Sequence, residues 1–455
     1  MIKTKTTSEF FKNDKPTWAV YDALRKLPNF IDGLKISQRK LIWTGFSKAA
    51  KDFVKTETFC NITALDTAYI HGSSNLCGVC ASIVQDFVGT CNFPYFLGND
   101  GGWGNRLVTR ESAPRYTKLK VSDVSRILFN KTDCEILEKQ FFEGQYIEPR
   151  TLMPVFPTIF FNSSSGLTAG FSSTIYSRNP DDVIQYIKKR LAGTENPRIE
   201  LKPWFRKFKG EVRLNQDTGV YESVGVIQRN SMTSYTITEI PVETSYQKYI
   251  EFLNKLEDDG VIQDYDDRCN PRNNDMHFEI KTSRDFTRKH EDLESLYKVF
   301  RLVQTLPEQY NCIDEDNRVR EFKSVKEILD AFIDIRLKYY QKRKDFILET
   351  FKSEIERLVS KYVFCKGIID KTIKVANVKK KLVEEQLEKT KNVIKVDGSF
   401  DYLLRIPIFQ ITNEEIGGLK QKIKDLKAQF SDAKGKTVND MWLEDLKELQ
   451  KKLRD

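Results

Sequence analysis

The amino-acid sequence predicts an α+β protein with several domains. Its 455 residues correspond to about three domains at roughly 150 residues each. Two stretches in the middle, Gly219 to Gln228 and Ser234 to Ile240, are rich in the β-branched and aromatic residues typical of strands. No proline occurs between Pro307 and Pro407, and apolar residues there recur at helical spacing. We therefore expect a compact mixed first part, an α+β middle part and a helical last part.

The composition excludes two broad classes of protein. Hydrophobic residues make up 40% of the chain and charged residues 31%, which is globular content and argues against a mainly disordered chain. Apolar stretches such as Val155 to Phe161 are much shorter than the roughly 20 residues that span a bilayer. The first residues contain no apolar signal segment. We expect a soluble, cytoplasmic protein.

The charge balance points to a polyanionic partner. The chain has 74 Lys+Arg against 65 Asp+Glu, a formal net charge of +9. Clustered basic side chains gain affinity for nucleic acids by releasing counterions from the phosphates.

The first part, from about residue 15 to 150, combines short helical patterns with glycine-rich loops and small basic groups. One such group is Lys35, Arg39 and Lys40. Cys77 and Cys80 form a single CxxC in this part, without a second pair at zinc-ligand spacing. We interpret them as two residues one turn apart on a helix, and we expect no disulfides among the eight scattered cysteines.

The last part predicts a hairpin of long helices. Apolar residues keep helical spacing at 325, 328, 329 and 332 and again at 355, 358, 362, 365 and 369. A lysine-rich piece, Lys371 to Lys391, leads to an apolar segment, Phe400 to Phe409, and a second helical stretch follows from Glu414 to Phe430. We expect a compact structure at the tip of the hairpin. Periodicity alone fits an ordinary helical bundle equally well.

Common catalytic motifs are missing. The chain has no GxxxxGK[ST] phosphate loop, and Gly98 to Gly104 lacks the strand and helix of a dinucleotide fingerprint. Two D-x-D triplets, Asp264 to Asp266 and Asp314 to Asp316, are candidates for Mg²⁺, but their polar surroundings favour exposed loops. None of the three histidines begins an HExxH or an HxxR, which excludes a zinc protease and weakens the case for a tyrosine recombinase.

Tyr116 is a candidate nucleophile. It follows Arg115 in the segment Ala113 to Thr117, with Arg110 close before it. A phenol, with an ordinary pKa near about 10, needs nearby positive charge to attack a phosphodiester at neutral pH. Arginine also stabilises the charge that develops on the phosphoryl oxygens. With 18 tyrosines in the chain, the pair alone is a weak signal.

A series of motifs resembles the cleavage and rejoining part of the type IIA DNA topoisomerases. They occur in the family's order over nearly the whole chain: RKLPNFIDGLKISQRK (25–40), TAYIHGSS (67–74), QDFVGTCNFPYFLGNDGGWGNR (85–106), APRYT (113–117), PTIFFNSSSGLTAGFSSTIYSRNP (157–180), PWFRKFKGEV (203–212) and ITEIPVETSYQKYIEFL (237–253). The segment 400–409 resembles the family's exit gate.

The resemblance implies a role for each matching residue. Tyr116 matches the nucleophile that becomes joined to the 5′ end of a cleaved strand. Arg115, Arg25 and His71 match groups around the scissile phosphate, where cations oppose the developing negative charge. Further matching positions imply contacts with DNA: Lys35, Arg39, Lys40, Ser74 and Leu167.

Among these positions, Leu167 stands where the family commonly has an isoleucine that wedges between base pairs. Ser74 aligns with the serine at which bacterial relatives contact quinolones. Two departures are Pro114, in place of an alanine before the Arg-Tyr pair, and Ile31, in place of a basic residue; neither removes a catalytic group.

The resemblance also implies the domain organisation and the partners. We expect a winged-helix cleavage domain at 1–150, a tower domain at 151–325, and a coiled coil with a dimerisation gate at 326–455. Two copies should pair, because each tyrosine cuts one strand. Mg²⁺ and ATP should be bound by partner subunits, since the family's acidic cluster and ATPase are not found in this sequence. The alternative is a non-catalytic scaffold that binds and bends DNA.

Overall fold

The computed structural model describes residues 6–48, 52–99 and 102–454. These residues form two compact units: the described residues between 6 and 336 together with 445–454, and residues 337–444. The α+β class expected from the sequence is confirmed, because helices and several small antiparallel sheets make up the chain. The boundaries expected near residues 150 and 325 concern functional domains and stay predictions.

The first part of the larger unit is a group of short helices beside a three-stranded sheet. Its helices are α1 (Thr7–Glu9), a π-helix (Phe10–Asp14), α2 (Lys15–Lys26), α3 (Ile36–Lys48), α4 (Thr56–Asp66), α5 (Ser73–Ser82), α6 (Asp123–Leu128) and α7 (Lys131–Ile136). Its strands are β1 (Val54–Lys55), β2 (Phe96–Gly98), β3 (Lys118–Val121), β4 (Lys139–Phe142) and β5 (Gln145–Pro149). The central strand of the sheet is β3, and it pairs antiparallel with β1 and β2, while β4 and β5 form a separate hairpin.

Local chemistry explains where these helices begin and end. Helix α2 ends at Lys26, two residues before Pro28, because a residue that precedes proline avoids the helical conformation. Helix α6 begins after Ser122, whose side chain accepts a hydrogen bond from the backbone N–H of Ser125. Cys77 and Cys80 lie one turn apart on α5, as expected, and every cysteine is a free thiol.

The middle part contains two larger antiparallel sheets. Its elements are a 3₁₀ helix (Thr158–Phe160), β6 (Ser164–Leu167), β7 (Ser172–Ile175), α8 (Pro180–Leu191), β8 (Glu211–Leu214), β9 (Tyr221–Val224), β10 (Val226–Arg229), β11 (Ser234–Glu239), α9 (Tyr246–Asp258), β12 (Asp264–Asp267), β13 (Phe278–Lys281), α10 (Arg284–Lys289), α11 (Leu293–Val299), β14 (Val303–Leu306), β15 (Asn311–Ile313) and β16 (Val319–Glu321). The sheets have the orders β10-β11-β13-β12 and β14-β9-β8.

The strand-like stretch Gly219 to Gln228 is divided between these two sheets. Gly225 separates β9 from β10, and its backbone N–H donates to the carbonyl of Leu302 at 2.7 Å. A Cβ at Gly225 would lie 2.4 Å from the carbonyl oxygen of Glu239, so only glycine allows this close approach. The core of the first sheet is apolar and fully buried, with Tyr235, Ile237 and Phe278 at its centre.

The last part of the chain consists of long and short helices. They are α12 (Val325–Ile369), α13 (Lys380–Lys389), α14 (Asp401–Leu404), a 3₁₀ helix (Ile408–Gln410), α15 (Asn413–Gly435) and α16 (Val438–Arg454). With 45 residues, α12 is about 67 Å long at 1.5 Å per residue. Within the second unit, Ile373, Val383 and Leu387 pack with Phe400 and Leu403 into the compact core expected for the apolar segment.

Candidate active site

Tyr116 is fixed through its backbone and exposed through its side chain. Its N–H donates to the carbonyl of Ala113 at 2.9 Å, and the next residue, Thr117, is buried and donates its hydroxyl to Thr56 at 2.8 Å. The phenol side chain is 73% exposed, and the guanidinium carbon of Arg115 lies 5.6 Å from the ring centroid. A large substrate can reach this phenol with a cation beside it.

Arg25 and His71 line a common cavity of about 290 Å³ that Tyr116 does not line. Helix α2 supplies Arg25, and the loop between α4 and α5 supplies His71. Burial, and secondarily the charge of Arg25, lower the pKa of His71, which favours the neutral imidazole at pH 7. Arg39, Lys40 and Arg150 also line this cavity, together with the carboxylate of Glu148.

One residue of this cavity was missed in the sequence analysis. The hydroxyl of Tyr21 lies 2.5 Å from Nε2 of His71, and Tyr69 packs edge-on against the same ring. Tyr21 precedes Arg25 by four residues on α2, and residues at this spacing share one face of a helix. That spacing could have indicated Tyr21 as a neighbour of the candidate site.

Arg39 and Lys40, which the resemblance places against DNA, have partners inside the protein. Arg39 donates to the carboxylate of Asp32 through Nε at 2.5 Å and Nη2 at 2.9 Å, and both side chains are buried. Lys40 pairs with Glu148 at 2.8 Å in an equally buried position. Burial raises the pKa of Glu148, and Lys40 opposes that rise. Direct DNA contact by Arg39 and Lys40 stays a prediction.

Lys35 lies in a second cavity, of about 260 Å³, lined mainly by polar residues. Burial lowers the pKa of Lys35, which means that its charge lacks full solvation. The serines at 163, 164 and 165 and Gln85 line the same cavity. An ammonium among hydroxyl and amide groups suits an anionic group such as a phosphate.

Ser74 and Leu167 are both exposed. Ser74 lies in the first turn of α5, which begins after Gly72. Leu167 is 75% exposed at the end of β6, and the turn that connects β6 to β7 follows it. Gly166 allows this hairpin to approach α2 closely, because a Cβ there would lie 2.4 Å from the carbonyl oxygen of Lys26.

The D-x-D triplets have structural roles. Asp264 and Asp266 belong to β12 and pair with Lys281 and Arg268 at 2.7 and 2.8 Å. Asp314 accepts backbone hydrogen bonds within its own turn. In the part of the chain that the structure describes, no group of three or more His, Cys, Asp or Glu residues could hold a metal ion. Two residues of the glycine-rich loop 98–104, Asp100 and Gly101, lie outside the described residues.

None of the helices formed by residues 6–48, 52–99 and 102–454 is both long enough and apolar enough to cross a bilayer.

Comparisons with known proteins agree on one family. The family model for the A subunits of DNA gyrase and topoisomerase IV matches residues 25–447. The chain is 30% identical over 465 residues to mitochondrial DNA topoisomerase 2 of Dictyostelium discoideum, covering 99% of this chain and 35% of that protein. It is 31% identical over 482 residues to DNA topoisomerase 2 of Plasmodium falciparum, covering 97% and 34%.

A solved structure has the same fold. The crystal structure of the Plasmodium falciparum topoisomerase II DNA-binding, cleavage and re-ligation domain matches with a TM-score of 0.88 and 31% identity, over 98% of this chain and 64% of that one. The chain spans about a third of the length of the topoisomerases to which it is similar.

Proposed function

Because this chain belongs to the family of the DNA gyrase and topoisomerase IV A subunits, we propose that it cleaves and rejoins DNA as part of a type IIA topoisomerase. One observation carries the proposal: Tyr116 is the exposed tyrosine of the Arg-Tyr pair and has the Arg115 guanidinium beside its ring. The whole enzyme would pass one duplex through a double-strand break in another, which relaxes and decatenates DNA.

The reaction at Tyr116 is a reversible transesterification. The phenol oxygen attacks the phosphorus as its proton leaves to solvent, a bond forms between that oxygen and phosphorus, and the bond to the 3′ oxygen breaks. The 3′ oxygen takes up a proton and leaves as a hydroxyl, while the 5′ end stays joined to the tyrosine. Rejoining reverses each step. Because one phosphoester replaces another, the chemistry itself consumes no ATP.

The basic groups stabilise the transition state. Arg115 lies beside the phenol ring, where its positive charge would oppose the negative charge that develops on the phosphoryl oxygens. Arg25 and His71, from the 290 Å³ cavity, would face the same phosphate once DNA brings the groups together. The Arg115 guanidinium already lies beside the phenol ring, whereas Arg25 and His71 would meet Tyr116 only when DNA binds.

The remaining site residues would bind and deform the duplex. Lys35, in its polar cavity, would hold a backbone phosphate, and Ser74 would contact DNA from the start of α5. Leu167 would enter a base step and kink the duplex, at a cost of a few kcal/mol for the lost stacking. The buried pair of Arg39 with Asp32 supports the loop that carries Lys35, and the pair of Lys40 with Glu148 joins α3 to β5, in addition to any phosphate contact that Arg39 and Lys40 make.

Other chains would complete the enzyme. We propose a homodimer with partner subunits that carry the Mg²⁺-binding and ATPase domains, because a double-strand break needs two tyrosines and the ion needs an acidic cluster. We propose that the chain corresponds to the medium subunit of a T-even type bacteriophage DNA topoisomerase. The enzyme would then act in the cytoplasm of a bacterial host.

The test is to trap the covalent intermediate. The chain is incubated with supercoiled DNA, Mg²⁺ and its ATPase partner, stopped with detergent, digested and analysed for a nucleotide on tyrosine by mass spectrometry. We expect the adduct on Tyr116 and its loss in Tyr116→Phe. The matched control is Tyr146→Phe, since Tyr146 is 72% exposed and should leave the adduct intact. A chain that bends DNA without forming an adduct would be the non-catalytic scaffold instead.

A further inference from the structure

The excess positive charge of the chain is concentrated in the unit of long helices. Residues 337–444 contain 23 Lys+Arg and 16 Asp+Glu, a net charge of +7. The remainder of the chain contains 51 and 49, a net charge of only +2. The unit that carries the candidate nucleophile is therefore nearly neutral overall, and the charge excess has to be explained elsewhere.

Much of this charge lies at one place, the end of α12 and the loop to α13. Six lysines and one aspartate occur between residues 366 and 381. Lys380 pairs with Asp401 at 2.9 Å and with Glu384 at 3.7 Å. The other five are exposed and, among the described residues, have no carboxylate within ion-pair distance. We call them the basic loop surface: Lys366, Lys371, Lys374, Lys379 and Lys381.

The loop that presents these lysines is ordered by its own contacts. Ile373 is buried, and its backbone N–H donates to the carbonyl of Gly367 at 3.0 Å. Gln386 clamps Lys374 from both sides: its side-chain oxygen accepts from the Lys374 N–H at 3.0 Å, and its side-chain nitrogen donates to the Lys374 carbonyl at 3.2 Å. A fixed backbone with free ammonium groups loses less entropy on binding than a flexible tail.

We propose that the basic loop surface binds the phosphate backbone of a second DNA duplex, distinct from the one that is cleaved. This rests on the proposed function, which supplies two duplexes. Five exposed ammonium groups without carboxylate partners, on the clamped loop and the helix ends beside it, complement the charge of a phosphate backbone, and phosphate contacts of this kind carry no sequence preference. A transported duplex of any sequence needs such binding, since it must be held briefly and then released.

The experiment measures recruitment of a second duplex by the intact chain. A biotinylated duplex is immobilised, the chain is bound to it, and a fluorescent duplex is added at increasing salt. For the variant Lys374→Gln/Lys379→Gln, we expect roughly tenfold weaker recruitment near 0.1 M salt. The slope of log K against log salt should fall by up to about 1.8, at 0.9 for each lost phosphate contact. Binding to the first duplex should not change.

The matched control removes two lysines that already have acidic partners in the same unit. Lys395 pairs with Glu388 at 2.6 Å and Lys436 with Glu444 at 3.0 Å, so Lys395→Gln/Lys436→Gln changes the net charge equally. Unchanged recruitment by the first variant, an equal loss in the control, or an equal loss of first-duplex binding would each overturn the inference. If recruitment by Lys374→Gln/Lys379→Gln were unchanged, the lysines would be a solvated surface or a binding site for an acidic protein.

The same samples separate this inference from the proposed function. Detergent trapping of the Tyr116 adduct reports cleavage, and the lysine variant should form as much adduct on the first duplex as the parent. If no adduct forms although recruitment depends on the lysines, then the proposed function fails and the second DNA-binding surface stands.

Discussion

The buried pair of Asp32 and Arg39 allows a sharp prediction about the loop that carries Lys35. Asp32 is fully buried and accepts four hydrogen bonds, two from the Arg39 guanidinium and one each from the N–H groups of Leu34 and Leu152 at 3.0 and 2.9 Å. In Arg39→Met the carboxylate keeps only the two backbone donors. It would then be a buried charge without its cation.

The expected loss in free energy of unfolding is about 3–5 kcal/mol, the usual cost of removing one partner of a buried ion pair. In urea this corresponds to a fall in the midpoint of about 1–2 M. Adding Asp32→Asn to Arg39→Met should recover part of the loss, because the unpaired charge is gone. The measurement is a urea titration followed by circular dichroism at pH 7.

An exposed pair provides the control. Arg268 is 57% exposed and lies 2.8 Å from Asp266, so Arg268→Met should cost less than about 1 kcal/mol. If Arg39→Met kept the parent's urea midpoint while losing affinity for DNA, our reasoning would be refuted. Arg39 would then act mainly as a backbone contact.

Three further predictions concern a turn, the wedge and the histidine. Gly33→Ala should destabilise the protein by about 2–4 kcal/mol, measured by thermal unfolding, because Gly33 has φ +61° and a Cβ there would lie 2.4 Å from the backbone of Ile159. Leu167→Ala should change stability by less than about 0.5 kcal/mol, since its side chain is exposed. It should nonetheless reduce DNA bending measured by energy transfer between the ends of a duplex. Arg25→Gln should raise the pKa of His71 toward its ordinary value, in an NMR titration of the imidazole protons, while burial keeps it lowered. Because the pKa of folded His71 is lowered, its contribution to stability is complete above about pH 6.5 and is lost as the pH falls further.

Controls and contrary results accompany these three. Gly144 has φ +84°, and a Cβ there would meet nothing within 4 Å, so Gly144→Ala should cost only about 1 kcal/mol of backbone strain. Equal effects at Gly33 and Gly144 would contradict the steric argument. Normal bending by Leu167→Ala would exclude the wedge. An unchanged His71 titration in Arg25→Gln would show that burial alone lowers the pKa.

Local patterns were enough to predict several features of this chain. The helical spacing after Pro307 predicted the long helix α12, because side chains three and four residues apart meet on one helix face. The Arg115-Tyr116 pair was recognisable because its two members are adjacent. The motif order predicted the family, and the family model confirms it.

Contacts between segments that are distant in sequence could not be predicted from these local patterns. The sequence alone determined the α+β class, the family and the candidate nucleophile, since each depends on residue types in a fixed local order. The tertiary structure decided that Asp32 receives the N–H of Leu152, that Tyr21 meets His71, and that Gly225 divides one strand-like stretch between two sheets. These partners are brought together only by tertiary packing. The periodic pattern of a sequence predicts secondary structure, but it does not indicate which distant residue will pair with a buried charge.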